Sequence, residues 1–366
     1  ESYDVAKKPK VIFIPAPSTH WVWQNRTLLS VTISKEKMKS GGNGGGGDNG
    51  DGGEITSFHE TIKIRAFFTR EREALLNLVL EAQKLSDEMY KGFVKVFSVA
   101  RYSSWSIVNM KPRRCKESLI LVGSTLEHLT KDIQEFQSMR FWYTERGIPW
   151  KRGYLFYGPP GSGKSAAAHV IASELGMDVY ILNLSNIALT DEGLVSALAE
   201  IPISGLLVLE EIDTVFRGRE LSGSRKSSAA GVSFAGLLNA LDGLTSREGR
   251  IVIMTTNHIE YLDPALIRPG RVDCQTYFGY ATQEQAMRMF ERFFDDSNQL
   301  ATAFAERIPD NLVSMAGLQE YLMHYRGKPQ EACHNADTLV IESIKLKEQA
   351  EVSKQAILVA SGETKE

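Results

Sequence analysis

Only three cysteines, Cys115, Cys274 and Cys333, occur in 366 residues, far apart and without a C-x-x-C pair. That removes a disulfide framework and fits free thiols in a reducing compartment. A basic excess is missing as well. Lys+Arg number 42 against 45 Asp+Glu, a net charge of −3, so the electrostatic footprint of a nucleic-acid binder is absent. No run is long and apolar enough to cross a bilayer, Val11–Pro15 being only strand-sized. The chain opens on Glu1 and not on Met, so any targeting signal or membrane segment is expected to precede it. His59-Glu60 begins like the zinc motif H-E-x-x-H, but Lys63 stands where the second histidine is needed, which excludes a zinc protease here.

Apolar sequence is plentiful, at 43% of residues, and the length suits two or three domains. The first stretch reads as β-rich, with strand-like Val11–Ile14 and Leu28–Ile33 and an alternating Ile62–Phe67. Between the last two lies Gly41–Gly53, nearly all Gly, Asn and Asp, whose composition cannot offset its ordering entropy and predicts a flexible excursion. Arg70–Met89 puts Leu75, Val79, Ala82, Leu85 and Met89 on one helical face, and Phe93–Val99 reads as a strand. Trp21, Trp23 and Trp105 are expected to pack in a core or an interface. From about Leu126 the pattern turns helical, and Arg146–Pro149 forms a turn. Short apolar runs then follow at Tyr154–Tyr157, Val179–Leu182, Leu206–Leu209 and Ile251–Met254. They alternate with helical segments such as Glu192–Leu198 and Phe234–Leu241, which predicts a parallel sheet covered on both faces. Beyond Tyr280 only helical periodicity remains, as in Gln283–Phe294 and Pro329–Ala350, with Lys345–Lys354 a solvated face. The expected division is a β-rich domain over 1–125 with the flexible insertion 41–53, an α/β domain over 126–280 and a small helical domain over 281–366.

The chemistry begins at Gly158-Pro159-Pro160-Gly161-Ser162-Gly163-Lys164-Ser165, a full match to G-x-x-x-x-G-K-[ST]. It lies between the apolar run Tyr154–Tyr157 and a helical run from Ala166, the order a phosphate site requires. Lys164 then faces the β- and γ-phosphates of a nucleotide, and the Ser165 hydroxyl is a ligand for Mg²⁺. Glu210-Glu211-Ile212-Asp213 closes another apolar run, at the strand tip where ligands sit in an open α/β sheet. The first carboxylate, Glu210, can hold the Mg²⁺ hydration shell and the second, Glu211, can orient or deprotonate the attacking water. Asn257 follows the run Ile251–Met254, where it can position that water. Arg268 and Arg271 flank Pro269-Gly270 on a stiff turn, residues suited to stabilising a transferring phosphoryl group from a neighbouring subunit.

In order, the phosphate loop, Leu206–Asp213, Leu237–Gly243, Thr256-Asn257 and Asp263–Asp273 resemble the landmarks of the AAA ATPases. Tyr143–Tyr154 and Asn257–Arg271 resemble one branch, the mitochondrial inner-membrane AAA ATPases that assemble respiratory complex III by translocating the folded Rieske iron–sulfur protein from the matrix. The resemblance covers nearly the whole chain and implies an AAA α/β domain with a helical lid and the branch's own β-rich domain. It also implies a homo-oligomeric ring with Asn257 as sensor and Arg268 and Arg271 reaching the neighbour's ATP. An ATPase domain facing the matrix, a membrane segment outside this chain and no nucleic-acid partner complete that expectation. Two departures stand out. The acids read Glu-Glu, where AAA proteins usually carry Asp-Glu and the branch Glu-Asp; hydrolysis is still expected, because Glu211 restores the catalytic glutamate. Asn183–Asp191 offers Ile187, Ala188 and Leu189 but no aromatic to thread an unfolded chain, and no Gly-Ala-Arg second sensor is found. A paralogue remodelling another complex, and a scaffold that binds ATP without cycling, are the alternatives.

Overall fold

The computed structural model describes residues 17–24, 27–38, 57–67, 72–99, 105–184, 189–214, 231–242, 248–294 and 298–360. Val11–Ile14 and Gly41–Gly53 lie outside them. The chain divides into two compact units, Glu1–Lys91 and Gly92–Glu366.

In the first unit, β1 (Thr19–Gln24), β2 (Thr27–Met38) and β3 (Ser57–Phe67) form an antiparallel sheet, followed by α1 (Arg72–Met89). On the central strand β2, Leu29 and the adjacent Ser30 are buried, at 2% and 4% exposure. Trp21 and Trp23 are exposed on β1, with Trp21 5.3 Å from Phe67, so of the two packing roles expected of them they do not fill the core one.

The second unit is built on a seven-stranded sheet in the order β10-β6-β9-β8-β7-β4-β5. Its strands are β4 (Phe93–Val99), β5 (Trp105–Pro112), β6 (Lys151–Tyr157), β7 (Asp178–Asn183), β8 (Gly205–Glu210), β9 (Arg250–Thr256) and β10 (Cys274–Tyr277). All pairs are parallel except the edge pair β4–β5. β4 joins β7 in parallel register, Val96 opposite Val179, and the second compact unit accordingly begins at Gly92. The reason is local: Val94 and Val96 are 1% and 3% exposed and are buried only by continuing the large sheet. Trp105 is anchored there too, its indole N–H donating to the Ala197 carbonyl at 2.8 Å beside Tyr180.

Strands buried on both faces read as unbroken apolar runs, and β6, β8 and β9 do so. One face packs on α2 (Thr125–Ser138) and α4 (Lys164–Leu175), through Ile133, Phe136 and Ile171. The other packs on α5 (Asp191–Glu200) and α6 (Phe234–Asp242), through Leu194, Leu198 and Leu237. Trp150 closes the bottom of the first layer and donates its N–H to the Phe136 carbonyl at 3.0 Å. A short helix, α3 (Arg140–Glu145), precedes it.

The helical end comprises α7 (Gln283–Phe293), α8 (Asn298–Arg307), α9 (Met315–His324), α10 (Pro329–His334) and α11 (Ala336–Ala360). Its core is Phe290, Phe304, Ile308, Leu318 and Leu322. The helix expected over Pro329–Ala350 is broken at Asn335. Ile120, from far upstream, also belongs to this core, while Leu119 and Leu121 pack under the sheet.

Candidate active site

β6 ends at Tyr157, and the chain turns through Gly158–Gly163 straight into α4. Gly158 has φ 142°, and a Cβ there would stand 1.9 Å from the Phe278 carbonyl oxygen, so only glycine fits. Gly163, at φ 101°, caps α4 without a side chain, which leaves the first-turn amides and the positive end of the helix dipole free for an anion. Lys164 is 8% exposed and donates to the carbonyls of Gly158 and Pro159, each at 2.8 Å. Burial lowers its ammonium to about 8, against the opposing pull of Asp213 and Glu211.

The tips of β8 and β9 supply the acids and the polar group. Glu210 is the last residue of β8, and Asn257 comes directly after β9. Between the strands, the Ile212 N–H donates to the Thr255 carbonyl at 3.1 Å and the Glu211 N–H to Thr255 Oγ1 at 3.3 Å. Thr256 Oγ1 donates to Asp213 at 2.9 Å, both residues being buried. Glu211 itself is exposed and adopts φ 50°, a left-handed conformation costly for a residue with a Cβ and found where surroundings enforce a functional geometry.

These groups share one cleft of about 430 Å³. Gly161–Ser165, Pro160, Glu210, Glu211 and Asn257 line its polar end. Leu119, Ile120, Met289 and Met315 line the apolar end, and Arg114, Ser118 and Gln319 also face it. The lid reaches the loop directly: the Ala316 N–H donates to the Gly161 carbonyl at 3.0 Å. The size and polarity gradient fit a nucleoside triphosphate. Among the described residues no group of three or more His, Cys, Asp or Glu could hold a metal ion. Ser165 and Glu210 are oxygen donors of the kind that would hold Mg²⁺ with phosphate oxygens and water completing its shell.

Arg268 and Arg271 are not in this cleft. They precede β10 and sit at the opposite end of the sheet, where Asp273 bonds to Gly153 near the start of β6. Leu189 is buried at 3% in the core, and Ile187 and Ala188 lie outside the described residues. Sequence reading missed Arg114, Ser118–Ile120, Met289, Met315 and Gln319, which carry no motif and meet only through the fold. Thr255-Thr256, a polar pair ending an apolar run, was the available signal for the stitched strand tips.

A parallel sheet that holds a phosphate loop and paired acids at its strand tips, roofed by a helical lid, is the architecture of AAA ATPases. Residues 154–280 match the model of the ATPase family associated with various cellular activities (AAA). Two more specific models flank it, the mitochondrial chaperone BCS1-like ATPase lid domain over residues 283–338 and the BCS1 N-terminal domain over residues 1–118. The human mitochondrial chaperone BCS1 is 37% identical over 337 residues, covering 90% of this chain and 77% of that protein. A probable mitochondrial chaperone bcs1 of Schizosaccharomyces pombe is 40% identical over 281 residues, covering 76% of this chain and 62% of that protein. The probable mitochondrial chaperone BCS1-B of Dictyostelium discoideum is 32% identical over 370 residues, 93% of this chain and 77% of that protein. The chain belongs to the BCS1 family of AAA ATPases.

Proposed function

We propose that this protein hydrolyses ATP as a homo-oligomeric ring and uses the cycle to move a folded client, the Rieske iron–sulfur protein, across or into the mitochondrial inner membrane during complex III assembly. The observation that carries the oligomeric part is the separation within one sheet. Phosphate loop, acids and Asn257 meet at the strand tips, whereas the two arginines stand at the other end, so a full site needs the arginine turn of a second copy. The mitochondrial location is supported by the names of the relatives, while the client and the matrix-facing orientation rest on the resemblance of the motifs at Tyr143–Tyr154 and Asn257–Arg271.

In this reading the amides of Gly161–Ser165 cradle the phosphates and Lys164 moves from the loop carbonyls to the β- and γ-oxygens. Ser165 and Glu210 would hold Mg²⁺, which when bound would supply neutralisation of the phosphate charge. Asn257 orients the attacking water, and Glu211 takes its proton as the oxygen bonds to phosphorus. Arginine from the neighbour stabilises charge on the transferring group.

Two inactive variants test the shared site. Lys164→Ala lacks nucleotide binding but keeps its arginines, and Arg268→Ala keeps its cleft but lacks the donated charge. Each alone is expected to lose ATP turnover by about 1,000-fold or more. Rings assembled from both are expected to regain turnover, because some interfaces then join an intact cleft to an intact arginine. Mixed rings that stay as inactive as the parents would sink the shared-site reading. Client movement is checked by restoring complex III assembly in cells that lack their own BCS1. An ATPase-competent protein that fails there acts on another client.

A further inference from the structure

The two arginines of the turn are in different chemical states. Arg271 Nε donates to Asp242 Oδ2 at 2.6 Å, a second guanidinium nitrogen pairs with the same oxygen, and Nη1 donates to the Ala265 carbonyl. Its side chain is only 17% exposed. Asp242, the last residue of α6, also accepts from Lys151 Nζ at 3.3 Å, and Lys151 reaches the Leu241 carbonyl at 3.2 Å. Burial opposes ionisation of Asp242, but the hydrogen bonds from Arg271 and Lys151 outweigh it and hold the carboxyl below its ordinary range.

The base of the turn is equally fixed. Asp273 accepts from the Gly153 and Gly270 N–H groups, each at 2.9 Å, and its own N–H donates to the Gly153 carbonyl at 2.8 Å. A Cβ at Gly153 would lie 1.8 Å from the Arg271 carbonyl oxygen, so the turn presses on a strand position that only glycine can occupy. Arg268, three residues earlier on the same turn, is exposed, and its side chain has no hydrogen-bond or ion-pair partner among the described residues. Its carbonyl accepts from the Arg271 and Val272 N–H groups at 3.0 and 3.1 Å, so the backbone that presents it is set by the Arg271 end.

Resting on the shared-site reading above, we propose that the two arginines divide the work: Arg268 alone reaches the neighbour's nucleotide, while Arg271, tied to Asp242, is a positioning residue that fixes the turn from which Arg268 projects. A guanidinium already forked onto a carboxylate and a carbonyl would have to leave charge-assisted bonds to act across an interface, whereas Arg268 has none to leave among the described residues. Misplacing a group by about 1 Å can cost 100-fold in rate, so loosening the anchor is felt at the neighbour without touching it.

The test uses the assembled ATPase. Asp242→Asn and Arg271→Gln are each expected to lower kcat by about 10- to 100-fold, with ATP affinity unchanged because the cleft is at the far end of the sheet. The double variant is expected to be no worse than the worse single one, since both break one contact. Asp242→Glu, which keeps the carboxylate, is expected to recover part of the loss. Rings mixing Asp242→Asn with Lys164→Ala subunits are expected to regain turnover, which a simple folding defect would not give. Full activity in Asp242→Asn, or an Arg271→Gln loss as deep as that of Arg268→Ala and additive with Asp242→Asn, would overturn the division of labour. Failure of the Arg268→Ala and Lys164→Ala mixture would instead overturn the shared site itself.

Discussion

The two ends of the parallel sheet handle charge in opposite ways. At the strand tips, Lys164 rests on backbone carbonyls, Glu211 is exposed in a strained conformation, and Glu210 and Asn257 face an open cleft. At the strand starts, Arg271, Lys151 and Asp242 neutralise one another, and Asp132 does the same for Arg152 at 2.7 Å while accepting from the Tyr154 hydroxyl at 2.5 Å. Burial, reinforced by that carboxylate, pushes the Tyr154 phenol well above its usual range and keeps it a hydrogen-bond donor. Among the described residues, the groups proposed to exchange partners during a reaction have no fixed acidic or basic mates, and the groups that hold the turn in shape are paired.

Substitutions at the two ends should therefore separate rate from stability. The largest effect is expected from Glu211→Gln, which keeps shape and removes the base: turnover falls by about 100- to 10,000-fold while equilibrium binding of ATP persists. Single-turnover kinetics beside a binding titration check it, and unchanged turnover would remove Glu211 from the mechanism. Next comes Thr256→Val, which takes from the buried Asp213 a hydrogen bond of 2.9 Å. It should cost about 1–3 kcal/mol of stability in denaturant unfolding, because the carboxylate loses a buried donor. The smallest effect concerns pH. The folded-state Asp242 carboxyl lies below its unfolded value, so its contribution is present above the ordinary carboxylate range and is lost as pH falls through the folded value. The thermal midpoint of Asp242→Asn should fall less steeply with acidification than that of the wild type. Parallel acid slopes would show that Asp242 contributes nothing through its charge.

Much of this organisation was legible in the residues. Tyr154–Tyr157, Leu206–Leu209 and Ile251–Met254 are central strands because both their faces are covered, and such strands write themselves as apolar runs. The loop and the acids were readable because their chemistry demands fixed residue types at fixed spacing. β10 was not, since Cys274–Tyr277 alternates half-buried and exposed residues over a single short stretch. β1 and β5 were missed for a related reason: edge strands with exposed apolar side chains give no binary pattern to follow. The apolar end of the cleft joins Leu119 and Ile120 to Met289 and Met315, and no local signal spans such separations. The pairing of Arg271 with Asp242 was equally invisible, because opposite charges 29 positions apart specify no partner.

Residues 119–121 carry one more consequence. An extended chain points successive side chains to opposite sides, and here Leu119 and Leu121 enter the core beneath the sheet while Ile120 enters the lid. Gln285 donates to the Ile120 carbonyl at 3.0 Å across 165 positions of chain, and Arg292 donates to the Glu117 carbonyl. The lid is thus not an appendage that finishes itself. During synthesis Ile120 emerges long before the helices that cover it, and its slot exists only once α7, α8 and α9 have been made. Closure of the helical end is consequently a late, long-range event in folding, and a lid expressed without this upstream strap would carry an open groove where Ile120 belongs.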